Sequence, residues 1–324
     1  MGTAVIAAPP QPAARSFVKR LRDGDKAAHL ITLVFVASVF LVTVFLIYEL
    51  WIHSSTSRAK FGLGFLFSSS WDPIAEKFGA LPFIYGTLLT SLLALLISVP
   101  MAVGAAVFLS ELAPPKLSNS CTFLVELLAA VPSVIYGLLA MFTLVPFLTT
   151  YGEPFLKKTL GFLPFVTGAP LGYTVLAASL ILAIMTFPFI VSISRESLLA
   201  VPREQREAAL ALGATKWEST WQVVIPYARL GIIGSIFLAL ARALGETMAV
   251  TMVIGNDPAI HLSLFKPGYT IAAVIANEFT EATGDVYPAA LVELGLVLFL
   301  ITIILNASAQ LLILATTKKG SKQD

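Results

Sequence analysis

The sequence predicts an all-α, polytopic membrane protein with six transmembrane helices, and three observations predict it. Of the 324 residues, 57% are hydrophobic and only 12% are charged. A soluble domain carries about 25% charged residues, so no water-soluble surface can be built from this composition. The hydrophobic residues come in runs long enough to cross about 30 Å of hydrocarbon as helices. The short alternating segments of a membrane β-barrel are absent.

The remaining composition narrows the classes. A net charge of +2 does not argue for nucleic acid. A single cysteine, Cys121, permits no intrachain disulfide. His29, His53 and His261 lie far apart with no metal-ligand spacing. No phosphate-binding G-x-x-x-x-G-K-[ST] loop and no nucleophile–base constellation occurs. No metal, cofactor or enzymatic activity is therefore expected in this chain.

Element by element, residues 1–26 form a tail that opens Pro/Ala-rich and turns basic at Arg15, Lys19, Arg20, Arg22 and Lys26. Residues 27–51 form a first span, too long for a signal peptide's apolar region and ending on Glu49 and Trp51. Residues 52–82 are mixed. Their apolar piece, 61–67, is too short to cross and is expected at the membrane interface or in a periplasmic loop. Five further spans follow, at 83–109, 121–148, 173–193, 227–254 and 288–314, within a core over 83–314. Pro100, Pro132 and Pro188 imply kinks covered by neighbouring helices. A tail over 315–324 completes the chain.

Charge orients it. With the N-terminus inside, fourteen Lys and Arg fall in inner segments and six in outer ones, while Arg242 lies within a span. The positive-inside rule then places both termini in the cytoplasm. No internal repeat is visible, which disfavours a carrier built from two duplicated halves.

The loop over 199–226 lies on that inner side. Pro202 can start a helix, since its missing N–H would be unpaired there. Ala208, Ala209, Leu210, Ala211 and Leu212 favour helix, and Gly213 supplies a left-handed stop. Thr215 and Glu218 have capping-box spacing for a second helix, on which Trp217 and Trp221 share a face. Pro226 closes the segment. Local physics alone is also compatible with an amphipathic connector lying on the membrane.

In the fifth span, Arg242 and Glu246 are four residues apart. Arg242 falls about 22 Å along the helix from Tyr227, where an ionisable residue costs roughly 2.5–3.5 kcal/mol. One reading is an anion-handling patch on a translocation path, since the guanidinium fork matches phosphate oxygens. The other is an ion pair that locks two helices together. Glu126 and Glu293 line a path or sit hydrated near a membrane face. Thr87, Thr90 and Ser91 line a polar face or bond to their own helix.

Glu207-Ala208-Ala209, Gly213 and Val223-Val224-Ile225-Pro226 resemble the EAA loop of ABC importer permeases, with two conservative changes near the proline. In that family the first helix of the loop docks into a cleft of the ATPase. Residues 83–91 (FIYGTLLTS), 126–133 (ELLAAVPS) and 242–250 (RALGETMAV), with Gly24-Asp25-Lys26, are similar to the PstC-type permeases of the phosphate-specific transport system. The resemblance runs from about residue 24 onward. It implies the type I ABC importer permease fold in the cell inner membrane. It implies that Arg242 and Glu246 take part in passage of inorganic phosphate. It implies as partners a PstA-like second permease, two PstB-like ATPase subunits, a PstS-like periplasmic phosphate-binding protein and the lipid bilayer, with ATP hydrolysis in the partner chains. Alternatives are the sister permease, a permease for sulfate, molybdate or phosphonate, a membrane-embedded sensor, and a proton-driven secondary carrier. The last needs no ATPase, and the loop over 199–226 argues against it.

Overall fold

The computed structural model describes residues 13–320, with side chains placed over 28–311. Of the tails expected over 1–26 and 315–324, residues 1–12 and 321–324 lie outside the described residues. Among the described residues six helices are long and apolar enough to cross a membrane: Ala28–His53, Leu81–Leu112, Ser133–Leu160, Val175–Leu199, Lys216–Leu244 and Val286–Leu311. Among the described residues no strand forms, and only two isolated β-bridges occur. The first span belongs to a helix, Ala13–His53, that forms a unit of its own up to Ile52.

In the second unit the fourth span is the most buried. The second span packs along it, and the fifth lies against both. Small residues make this close approach possible: Ala94, Ala102, Ala106, Ala177, Ala178 and Ala239 are all buried at these contacts. Two polar contacts join the spans. Thr186 Oγ1 donates to Ser98 Oγ at 3.1 Å, and Ser194 and Ser235 share a hydrogen bond of 2.8 Å. Leu92, Leu96 and Phe142 are more than half exposed on the outside of the spans. Such apolar faces suit contact with lipid or another membrane protein.

The third span differs from the sequence reading. The apolar run 121–148 is not one helix. A helix over Pro115–Ala129 ends at Ala130, and Pro132 starts the next one from an extended conformation. The crossing helix is displaced to Ser133–Leu160 and takes in Glu153, Lys157 and Lys158. Proline before a helix satisfies the geometry of its first turn, so an unbroken apolar run hides a break.

Four π-helical turns, Phe108–Leu112, Ala140–Leu144, Leu148–Gly152 and Thr220–Val224, each end two residues before a proline: Pro114, Pro146, Pro154 and Pro226. In each, the residue preceding the proline donates its N–H to the carbonyl five residues back. The helix thereby gains one residue and takes up the crowding around the proline ring. Pro226 therefore does not close its segment: the helix runs from Lys216 through it to Leu244.

Residues 52–82 fold into helices Ser55–Phe61 and Gly64–Phe67 and a turn bridged between Asp72 and Lys77. Phe65 and Phe78 are buried in one cluster with residues of the second and sixth spans, and Trp71 is half-buried against it, while Phe67 is exposed. Trp71 meets Phe78 and Phe83 edge-on at 4.8 and 4.7 Å, and Phe78 stacks on Tyr287 at 5.2 Å. Trp71 Nε1 and the Tyr287 hydroxyl both donate to Glu278 Oε2, at 2.9 and 2.6 Å.

Candidate functional site

The fifth span ends at Leu244, ten residues short of the 227–254 run read from the sequence. Its last helix, Ile225–Leu244, is capped at Gly245, and a four-residue helix, Met248–Thr251, follows. Arg242 thus stands in the last helical turn, where the partial negative charge of the helix end favours a cation. Glu246 lies beyond that end. Its Oε1 accepts the Ala249 N–H at 3.3 Å. The helical i,i+4 relation expected for Arg242 and Glu246 is not formed, because Gly245 terminates the helix between them.

No ion pair joins the two among the described residues. Arg242 is exposed and Glu246 half-buried. The hydroxyl of Tyr136 in the third span donates to the Leu128 carbonyl at 2.8 Å. An arginine at the end of an apolar span, with its fork unclaimed by a carboxylate among the described residues, is chemically able to receive an oxyanion.

The backbone leaves the helical path at 245–247 and again beyond Thr251. Ala249, Val250, Val253 and Ile254 are buried, so this irregular segment is enclosed by protein, as non-helical backbone at membrane depth must be. Gly255 and Asn256 turn the chain with φ of +91° and +53°. A Cβ at Gly255 would lie 3.0 Å from the Tyr173 carbonyl oxygen, so only glycine fits there. Gly268 N–H closes the loop onto the Ile254 carbonyl at 3.1 Å.

The loop between the fourth and fifth spans has a helix, Arg203–Ala211, a turn at Gly213 with φ +90°, and a second helix from Lys216. Both halves of the Thr215–Glu218 capping box are made. Trp217 and Trp221 stack at 5.6 Å and stay more than half exposed. Glu207, Ala208 and Gly213 are exposed, Ala209 is half-buried, and Pro226 is exposed inside the fifth helix. Glu207 borders a hollow of about 420 Å³ shared with Ser110, Glu111, Arg203 and Arg206.

The other sequence candidates fall elsewhere. Glu126 is exposed on the Pro115–Ala129 helix. Glu293 is buried near Ser57 and Arg58, with Oε2 lacking a hydrogen-bond partner. Thr87 and Thr90 bond back to the Phe83 and Gly86 carbonyls at 2.7 and 2.8 Å. Thr87 Oγ1 also accepts the Ile271 N–H at 2.9 Å. Sequence reasoning missed Arg206 and Glu111, which meet across 95 residues. The available signal was that the charge assignment places both on one side of the membrane.

A family model described as "Binding-protein-dependent transport system inner membrane component" matches residues 98–318. A relative from Mesorhizobium japonicum, named phosphate transport system permease protein PstC, is 49% identical over 270 residues, covering 82% of this chain and 83% of its own. One of the same name from Pasteurella multocida is 45% identical over 295 residues, covering 89% and 91%. Among solved structures, the inward-facing MetNI methionine ABC transporter aligns with TM-score 0.51 at 15% identity, over 76% of this chain and 99% of its own. A bacterial ABC transporter that imports the polysaccharide alginate aligns with TM-score 0.52 at 18% identity, over 90% and 98%. At those identities the structures carry the fold alone. The chain has the type I ABC importer permease fold and belongs to the family of binding-protein-dependent transport system inner membrane components.

Proposed function

We propose that this chain is one permease subunit of an ATP-driven importer of inorganic phosphate. The reading rests on relatives named phosphate transport permeases over more than four fifths of the chain. It rests at the site on Arg242, exposed at the end of an apolar span and without an ion pair among the described residues. Arg242 offers its fork to the anion, and Glu246, beyond the helix end, keeps the site from holding phosphate too tightly to release it. A second, PstA-like permease supplies the other half of the path, and a PstS-like binding protein delivers the anion from the periplasm. Both termini and the 199–226 loop face the cytoplasm, as the distribution of Lys and Arg supports. There Glu207, Ala208 and Ala209 dock on one of two PstB-like ATPase subunits, Gly213 turns the chain, and the helix through Pro226 carries the motion into the membrane.

Arg242→Gln tests the site. Losing one charge-assisted interaction of about 2 kcal/mol lowers initial phosphate uptake about thirtyfold at subsaturating phosphate. Arg242→Lys, a point charge without the fork, falls between. Uptake is normalised to the amount of chain in the membrane. Unchanged uptake in Arg242→Gln would assign Arg242 a structural role and remove it from the path.

A further inference from the structure

Arg206 stands half-buried on the Arg203–Ala211 helix, next to the exposed Glu207 and Ala208. Its guanidinium makes four hydrogen bonds to two other elements. Nε and Nη2 donate to Glu111 Oε2 and Oε1 at 3.2 and 2.9 Å, a forked pair. Nη1 donates to the Val201 carbonyl at 2.5 Å and Nη2 to the Leu198 carbonyl at 2.7 Å. Glu111 belongs to the π-turn that ends the second span. Leu198 and the nearby Val201 lie where the fourth span ends, at Leu199, and the Leu198 carbonyl also accepts the Val201 N–H at 3.3 Å. The Arg206 and Glu111 side chains keep only 20% and 11% of their surface exposed. A half-enclosed forked pair with two further carbonyl acceptors has far less freedom than a surface ion pair.

The π-turn contributes to the same joint. Because Ala113 donates to the Phe108 carbonyl instead of the Leu109 carbonyl, the latter is free to accept Ser118 Oγ, at 2.7 Å. The end of the second span is thus also fixed to the Pro115–Ala129 helix. The fork of Arg206 grips the carboxylate in that same turn.

We infer that Arg206, with Glu111, is a positioning pair that makes the docking helix and the adjoining ends of the second and fourth spans move as one body. The inference rests on the docking role given above to the Arg203–Ala211 helix. Arg206 touches neither cargo nor nucleotide. Its task is to pass a displacement of that helix to two spans at once, the more buried of which packs on the fifth, where Arg242 stands. Lysine cannot replace it, since an ammonium has neither the planar fork nor the reach to serve a carboxylate and two carbonyls together.

The test uses the whole transporter, with its ATPase and binding protein, in proteoliposomes, and reads phosphate imported per ATP hydrolysed. Arg206→Lys is expected to assemble, to keep ATP hydrolysis within about twofold, and to import at least tenfold less phosphate per ATP. Glu111→Gln keeps one acceptor and loses the ionic fork, and is expected to show a smaller fall in the same ratio. A purely stabilising Arg206 would reduce uptake and hydrolysis together, leaving the ratio unchanged, and that result would overturn the inference. Failure of both variants to assemble would overturn it as well, since the pair would then be a folding clamp. Ala208→Cys, in a Cys121→Ser background and treated with a short thiol-to-amine cross-linker, separates the docking reading: it should cross-link to the ATPase subunit. No cross-link would remove docking itself, whereas a cross-link with an unchanged ratio would remove only the joint.

Discussion

At Gly213 the backbone turns with φ +90° between two helices, and a Cβ there would meet nothing within 4 Å. The demand for glycine is therefore conformational and not steric. An alanine pays about 1 kcal/mol for the left-handed conformation and leaves the space otherwise undisturbed. Proline, with φ held near −65°, cannot make the turn at all. Gly213→Ala is expected to retain most of its phosphate uptake. Gly213→Pro should insert normally yet lose uptake while ATP hydrolysis persists. Uptake by the proline variant at the unaltered level would argue that the turn does not orient a docking helix. Arg242 shows the complementary limit at this scale. Its chemistry was legible in the sequence, but its pairing was not, because Gly245 ends the helix and sends Glu246 to the Ala249 N–H.

Elements here are shaped by where helices approach each other and where prolines fall. At Gly86 on the second span, a Cβ would lie 2.1 Å from the Tyr269 carbonyl oxygen. That contact brings Thr87 Oγ1 to the Ile271 N–H and sets the start of the helix Ile271–Glu278. Gly86→Ala must push backbone apart, an overpacking cost of roughly 1–3 kcal/mol, and should lower the Tm of the purified complex. Gly104, on the same helix with nothing within 4 Å of its Cβ position, is the control. Gly104→Ala should leave Tm unchanged or raise it slightly, by about 0.5–1 kcal/mol of helix propensity. Equal effects at the two positions would contradict the packing described. The π-turns belong to this scale too. Proline spacing signals a disturbance in a helix, but not whether the chain breaks, as before Ser133, or adds a residue, as before Pro146, Pro154 and Pro226. The outcome depends on neighbouring helices that composition does not reveal.

For the molecule as a whole, six apolar crossings were legible because hydrocarbon solvation acts on every residue of a span and needs no knowledge of contacts. The helix–glycine–helix loop was legible because capping and turn chemistry are local: Pro202, Gly213, Thr215 and Glu218 behave as their own side chains dictate. What was not legible is long-range. The aromatic packing of Trp71 and Phe78 onto the sixth span, the Arg206–Glu111 fork and the enclosed irregular segment around Asn256 depend on residues far apart in the chain. The central claim, that the path this chain lines carries phosphate, is tested most directly by uptake of labelled phosphate at micromolar concentration. Cells lacking the chain are compared with the same cells carrying it, with sulfate uptake as the control. The account predicts that phosphate uptake returns only when the chain is present and that sulfate uptake is the same in both. Phosphate uptake that is indifferent to the chain, or sulfate uptake that follows it, would contradict the account.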